Sequence, residues 1–218
     1  MSIELKKRII TSVFLTTLLI LMYYYVYILI ISLIIISMIS WIEFYALISK
    51  IFLKDNFRHK FSRIISKAIS LLYLSMIVFF IIRYQNSDSG IFIVYSLLVS
   101  IATDIGGLVV GKTFKGKKLT KISPKKTISG SVGSFIFSFL LIPFFINELP
   151  IYNILLLVFF TFLISLTSQL GDLFISTLKR RANVKDTSDI LPGHGGLLDR
   201  IDGIIFAIPF GFLLLSFN

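Results

Sequence analysis

The chain has no cysteine, and among its 218 residues histidine appears twice, tryptophan once and proline five times. Without thiols, disulfide frameworks, thiolate nucleophiles and cysteine-ligated zinc or iron–sulfur centres are excluded, while the redox compartment stays open. His59 and His194 are too few for a histidine metal cage. Charge is scarce too: 15% of residues are Asp, Glu, Lys or Arg against 56% hydrophobic, where a soluble domain carries about a quarter charged residues. These absences point to an all-α polytopic integral membrane protein.

A spanning helix needs about 20 apolar residues, and the hydropathy pattern predicts seven, over residues 9–24, 26–48, 64–83, 90–110, 128–146, 151–172 and 201–217. The first two come from one run, residues 9–49. As a single helix that run would be about 60 Å long at ~1.5 Å per residue, twice the hydrocarbon thickness. It must therefore fold back, near "YYYVY" (23–27), whose aromatics suit an interface. The start, "KKRIITSVFLTTLLI", shows no small-residue cleavage site and is expected to stay as a helix, not a signal peptide.

The placement of charge agrees. With the N-terminus in the cytoplasm, segments 1–8, 49–63 with Lys67, 111–127 and 173–200 hold 3, 6, 7 and 5 of the 22 Lys and Arg, leaving only Arg83 outside. That is the positive-inside pattern. The net charge of +11 thus reads as topology and attraction to anionic lipid, and nucleic acid is not an expected partner, because no soluble basic domain exists to bind it.

Polar residues inside such helices are costly and mark function by default. Glu43, Asp104 and Asp172 each interrupt an apolar helix about two turns from its cytoplasmic end. The alternative for each is an interfacial acid pairing with nearby lysine. The densest polar island is "KRRANVKDTSDILPGHGGLLDRID" (179–202), with five basic and four acidic residues. "PGHGG" cannot continue a helix, and its glycines let backbone N–H groups approach an anion. "DRID" puts Asp199 and Asp202 three apart at the start of the last helix, on neighbouring positions of one face. With Asp172 these make hard oxygen donors suited to Mg²⁺ or another divalent cation, surrounded by Lys179, Arg180, Arg181, Lys185 and Arg200 for phosphate oxygens. Upstream, Lys125 and Lys126 precede Thr127 and Ser129, either of which can cap the fifth helix; an anion site and a plain positive-inside anchor both fit. Gly107 with Gly111, and Gly130 with Ser134, have the small-x-x-x-small spacing of tight helix packing.

Residues 176–202, "STLKRRANVKDTSDILPGHGGLLDRID", resemble the signature of the phosphatidate cytidylyltransferase (CDP-diacylglycerol synthase) family, through Ser176, Lys179, Arg180, Lys185, Asp186, "PGHGG" and "DRID". "SQLGDLFIS" is similar to the family segment whose metal-binding Asp falls on Asp172. "SPKKTISG", with Ser123, Lys125, Lys126 and Thr127, resembles S-P-K-K-T-W-E-G, and "DIGGLVVGK", starting at Asp104, resembles the D-T-G-A segment. "WIEFYAL" is faintly similar to a tryptophan-glutamate segment. The chain departs from the family in having Ile128 and Ser129 where Trp-Glu is common, and in fewer N-terminal helices.

The resemblance implies that CTP and phosphatidic acid give CDP-diacylglycerol and pyrophosphate at the cytoplasmic face of a bacterial inner membrane, with a homodimer allowed. It implies that Asp172 and Asp199 bind metal, supported by Asp186 and Asp202. Lys179, Arg180, Lys185 and Arg200 would hold phosphates, and His194, Gly195 and Gly196 would shape the nucleotide loop, although a purely structural turn histidine is the alternative. One membrane domain, 1–218, is expected, with N-terminal helices over 1–89 and catalytic helices and loops over 90–218. The rivals are a CTP-dependent polyprenol kinase, a cytidylyltransferase for another lipid, and a transporter, which should place its polar groups near the midplane. A CDP-alcohol phosphotransferase is disfavoured by the absence of its D-G-x-x-A-R motif.

Overall fold

A computed structural model describes residues 3–53, 56–85, 87, 90–120, 122–149 and 153–215. The described elements are α1 (Ile3–Tyr24), α2 (Val26–Ile51), α3 (Phe57–Tyr84), α4 (Gly90–Phe114), α5 (Ile128–Phe139), α6 (Ile142–Phe145), α7 (Ile154–Arg181), α8 (Leu198–Ile201) and α9 (Ile204–Leu215). No strand forms among the described residues, where pairing is confined to the bridges Lys118–Thr127 and Leu191–Gly195. Among the described residues five stretches are long and apolar enough to cross a membrane: α2, α3, α4, Ile128–Phe145 and α7. The chain is an all-helical integral membrane protein. The expected first and last spans correspond to α1 and α9, which fall outside those five.

The helices overrun the apolar windows for local reasons. α3 starts at Phe57 because "FRHKFSR" contains good helix formers that hydropathy does not count. α7 runs to Arg181, since Lys179, Arg180 and Arg181 in its last turn complement the helix dipole. The fifth predicted helix is split into α5 and α6 because Pro143 cannot donate to the ladder. The single run 9–49 is broken where the aromatics lie, at Tyr25, which is extended (φ −123°, ψ 106°).

The backbone divides into two compact units, Met1–Val78 with Leu178–Ile201, and Phe79–Thr177 with Asp202–Asn218. In the first, α2 packs on α1 and on α8. The Trp41 indole donates to the Lys67 carbonyl (3.1 Å), and the Lys67 ammonium lies over the Tyr45 ring, so the charge near the start of the third apolar stretch is stabilised by an aromatic face.

In the second unit, Phe92, Tyr95, Val99, Leu157, Phe160, Ile164 and Ala207 form an apolar core. Below it the helices are joined by hydroxyls. Thr103 Oγ1 contacts Ser138 Oγ (2.9 Å) and Ser165 Oγ (2.8 Å), Ser134 donates to the Thr103 carbonyl (2.7 Å), and Ser100 pairs with Ser168 (2.7 Å). Each such bond contributes only about 0.6 kcal/mol in lipid. They set register more than strength. Close approach of α4 and α5 supplies the packing: a Cβ on Gly107 would come 2.7 Å from Ser134 Oγ, and one on Gly130 2.8 Å from the Gly107 carbonyl. The small-residue spacings are therefore a helix interface.

Candidate active site

The signature segment closes on two carboxylates in the first unit. α7 ends in a Schellman turn: Asn183 takes a left-handed φ of 55°, Val184 N–H bonds the Lys179 carbonyl (3.0 Å) and Asn183 N–H that of Arg180 (3.1 Å). The chain then returns past Glu43 of α2, whose side chain is 2% exposed. Oε1 accepts from Ser188 Oγ (2.5 Å) and Leu197 N–H (3.0 Å); Oε2 accepts from Thr187 Oγ1 (2.8 Å) and Leu198 N–H (2.7 Å). Four donors on one carboxylate satisfy a buried anion without a cation.

Asp199 is the second carboxylate, with a side chain 5% exposed. Oδ1 accepts from Lys179 Nζ (2.6 Å), and Oδ2 from the N–H groups of Thr187 (2.8 Å) and Gly196 (3.0 Å). Burial alone would raise its pKa, but the Lys179 ammonium and the two backbone donors together outweigh it and hold the carboxyl below its ordinary 3.8. Thr187 Oγ1 also lies 3.1 Å from Asp199 Oδ2. The hydroxyl has one proton for the two acceptors, and the shorter contact, to Glu43, takes it.

The glycines do what their spacing suggested, for a different anion. The N–H of Gly196 and those of the next two residues are directed at Asp199 and Glu43, the protein's own carboxylates. Gly193 and Gly195 have φ of 77° and 81°, which only glycine adopts cheaply. A Cβ on Gly196 would overlap Thr187 Oγ1 and lie 2.8 and 2.9 Å from the Glu43 oxygens. Arg200 forks onto the His194 carbonyl (Nε 3.1 Å, Nη2 2.5 Å), so this expected phosphate ligand braces the loop. The His194 ring has Nε2 3.4 Å from Ser12 Oγ and a buried, unpartnered Nδ1, while Thr11 Oγ1 donates to the Pro192 carbonyl (3.0 Å). Arg180, Lys185 and Asp186 are exposed.

In the second unit Thr127 caps α5, accepting from Gly130 N–H (3.0 Å), whereas Ser129 bonds the Lys115 carbonyl (2.9 Å). Lys126 pairs with Asp172 Oδ2, and Ser176 donates to Oδ1 (3.2 Å). Lys125 and Asp104 are exposed, and Ser123 N–H donates to Thr120 Oγ1 (3.2 Å). Asp202 is buried and accepts from Gly203 N–H (3.0 Å). The helix breaks at this point: Asp199 lies in α8, which ends at Ile201, and Asp202 lies outside both α8 and α9.

The implied divalent cation fits as a substrate-borne ion. No three Asp, Glu, His or Cys side chains gather among the described residues into a group able to hold a metal. An all-protein cage is thus not offered, but Mg²⁺ needs only one or two carboxylates beside water and phosphate oxygens. Among the described residues, Asp199 Oδ1 in the first unit has a single partner and keeps an acceptor position, with Asp186 exposed; in the second unit each Asp172 oxygen likewise has a single partner.

Sequence reasoning missed Thr187 and Ser188 and left Glu43 as an unassigned intramembrane acid. The only signal was the coincidence of a buried-helix acid with a loop rich in N–H and hydroxyl donors.

Comparison with known proteins bears on the same residues. The chain is 41% identical over 153 residues to the phosphatidate cytidylyltransferase of Bacillus subtilis (strain 168), covering 68% of this chain and 56% of that one. It is 31% identical over 183 residues to the phosphatidate cytidylyltransferase of Helicobacter pylori (strain ATCC 700392 / 26695), covering 80% and 69%. With the Staphylococcus saprophyticus phosphatidate cytidylyltransferase identity is 40% over 140 residues, covering 62% and 54%. The match to the Bacillus and Staphylococcus relatives thus spans little more than half their length. The cytidylyltransferase family profile matches residues 2–218, which takes in the Glu43 helix, the lysine-bearing α5 cap and the whole signature loop. On that extent of match, the chain belongs to the cytidylyltransferase family.

Proposed function

We propose that the protein transfers the cytidylyl group of CTP to phosphatidic acid, giving CDP-diacylglycerol and pyrophosphate. The observation that carries this reading is the family match over residues 2–218 with the signature loop organised on Glu43 and Asp199. A phosphate oxygen of the lipid attacks the α-phosphorus, and the bond from that phosphorus to the oxygen of pyrophosphate breaks, the electron pair leaving with pyrophosphate. The nucleophile is already anionic, so no general base is needed, and His194 has a binding or structural part.

The barrier is then mainly the approach of two anions. Catalysis is positioning and charge neutralisation. Lys179 is held by Asp199, and Lys126 by Asp172. The exposed Lys125, Arg180 and Lys185 lower the repulsion between substrates. A divalent cation, when bound, supplies charge stabilisation of the transferring and leaving phosphates. Each unit has carboxylates of its own suited to such an ion, Asp199 with Asp186 in the first and Asp172 with Asp202 in the second. The chemistry lies at the cytoplasmic face of the bacterial inner membrane, with a cytoplasmic N-terminus and seven crossings counting α1 and α9. The clustering of Lys and Arg supports this orientation.

The test is pyrophosphate release by purified protein in detergent with Mg²⁺, CTP and phosphatidic acid, each omitted in turn. Release that needs both substrates and yields a CDP-lipid is expected. Transfer to a lipid alcohol instead would identify a kinase, and inactivity of folded protein with every acceptor would reject the reading.

A further inference from the structure

Glu43 has no place in the chemistry above, yet four donors lie within hydrogen-bond distance of its carboxylate, as many as of Asp199. It sits in a membrane-crossing helix, 2% exposed, and every donor it meets belongs to the signature loop: Thr187, Ser188, Leu197 and Leu198. No cation among the described residues pairs with it. An acid side chain held by neutral donors is an organiser of backbone, in the way a capping side chain organises a helix end.

Its reach extends further through Thr187. That hydroxyl lies between Glu43 Oε2 (2.8 Å) and Asp199 Oδ2 (3.1 Å), and Asp199 Oδ1 holds Lys179 Nζ (2.6 Å). Because one proton cannot serve both carboxylates, Glu43 draws it and leaves Asp199 with its two backbone donors and Lys179. Without Glu43 the Thr187 side chain loses the acceptor that anchors it, and the Thr187 N–H that bonds Asp199 Oδ2 is no longer held in place. The Leu197 and Leu198 N–H groups lose their acceptor at the same time, beside the Gly196 N–H that bonds Asp199.

We propose that Glu43 is a positioning residue for the cytidylyl transfer: from the membrane helix it fixes Thr187 and the 196–198 backbone, and through Asp199 it sets the position of Lys179. This rests on the proposed function. It goes beyond an α2-to-loop tie because a tie alone predicts lost stability, not a change in turnover of folded enzyme.

The experiment compares full-length wild type, Glu43→Gln, Thr187→Val and the double variant in lipid nanodiscs. It reads kcat and KM for each substrate, the thermal midpoint, and amide exchange along 185–200. Glu43→Gln keeps the shape but turns an amide N–H₂ toward one of the Leu197 and Leu198 N–H groups, which can only donate. Its expected result is kcat reduced about tenfold or more, the penalty typical of a displaced supporting group, with KM for phosphatidic acid within about twofold. Exchange should rise at Thr187 and residues 196–198. Thr187→Val should fall in the same direction, and the double variant should be no worse than Glu43→Gln by more than about twofold, since both act through one path. Normal kcat in folded Glu43→Gln overturns the proposal, as does a loss matched by the unfolded fraction, or additive losses in the double variant. Should Glu43→Gln fail to fold, Thr187→Val decides, and full turnover there overturns it. If wild type itself makes no CDP-lipid, the functional reading fails separately. The exchange data then decide whether Glu43 orders the loop, and unchanged exchange rejects that part too.

Discussion

Lys179 Nζ lies 2.6 Å from Asp199 Oδ1, joining the last turn of one long helix to the short helix twenty positions later. The pair closes the signature loop at its base. Its side chains are 12% and 5% exposed, so the contact is only partly screened. Breaking a buried pair costs about 3–5 kcal/mol and exposure lowers this; Asp199→Asn should therefore destabilise the protein by about 1–3 kcal/mol at neutral pH. Thermal unfolding in detergent measures it.

The pH dependence of that loss follows from the depressed carboxyl. A group whose folded pKa lies below its unfolded value stabilises fully above the unfolded value and loses its effect as pH falls through the folded one. For Asp199 the folded value lies under 3.8. The stability gap between wild type and Asp199→Asn should be flat from about pH 5 to 8 and shrink below about pH 4, as thermal midpoints across that range will show. A gap that titrates near pH 6 would assign the effect to another group.

Gly196→Ala tests the packing of the same loop. Its methyl would meet Thr187 Oγ1 and both Glu43 oxygens, which are hydrogen-bonded and cannot retreat without giving up a donor. A loss of about 2–4 kcal/mol is expected, in the range of overpacking with a broken buried bond. Alanine at Gly116, whose Cβ would meet Ser129 Oγ no closer than 3.3 Å, should cost less despite its φ of 125°.

In the second unit, Lys126→Met leaves Asp172 with Ser176 alone. Under the proposed mechanism kcat/KM should drop about a hundredfold, the scale of losing one preorganised charge at a transferring group, while Lys126→Arg retains part of it. Steady-state kinetics with CTP varied will report it. Loss of folding without loss of specific activity would place Lys126 in the scaffold.

Gly133 separates packing from hydrogen bonding on α5. A Cβ there would clash with Val110 and come 2.8 Å from the Gly106 carbonyl, so Gly133→Leu should prevent α4–α5 packing altogether. Ser138→Ala, which removes contacts to Thr103 and Ser165, should cost about 1 kcal/mol or less. Unfolding in mixed detergent micelles ranks the two.

How much of this was legible depended on range. Helix positions follow from local hydropathy, and the break at Tyr25 followed from a run too long for one bilayer. The Thr127 cap and the glycine packing face of α4 and α5 are likewise short-range patterns. The site's wiring is not. Glu43 meets partners 144 to 155 positions away, a relation set by which helix happens to pass the loop. The signature suggested N–H groups poised for a substrate anion, and the structure gives three of them to internal carboxylates. Glycine spacing marks that an anion is approached but not whose. Likewise DRID reads as one helical face only if the helix is continuous, and it ends at Ile201.

The hydroxyl bonds of the second unit have a bearing on how the chain enters its membrane. Thr103, Ser138 and Thr161 each also donate or lie close to the carbonyl four residues back in their own helix: Val99 (2.8 Å), Ser134 (2.8 Å) and Leu157 (2.7 Å). A segment carrying such residues can leave the translocation machinery singly, with its polar atoms already satisfied by its own backbone. Neighbours become second partners only when segments meet. Biogenesis thus need not wait for the whole polar seam to be made at once, and the residues that later choose the helix partners impose little toll on insertion.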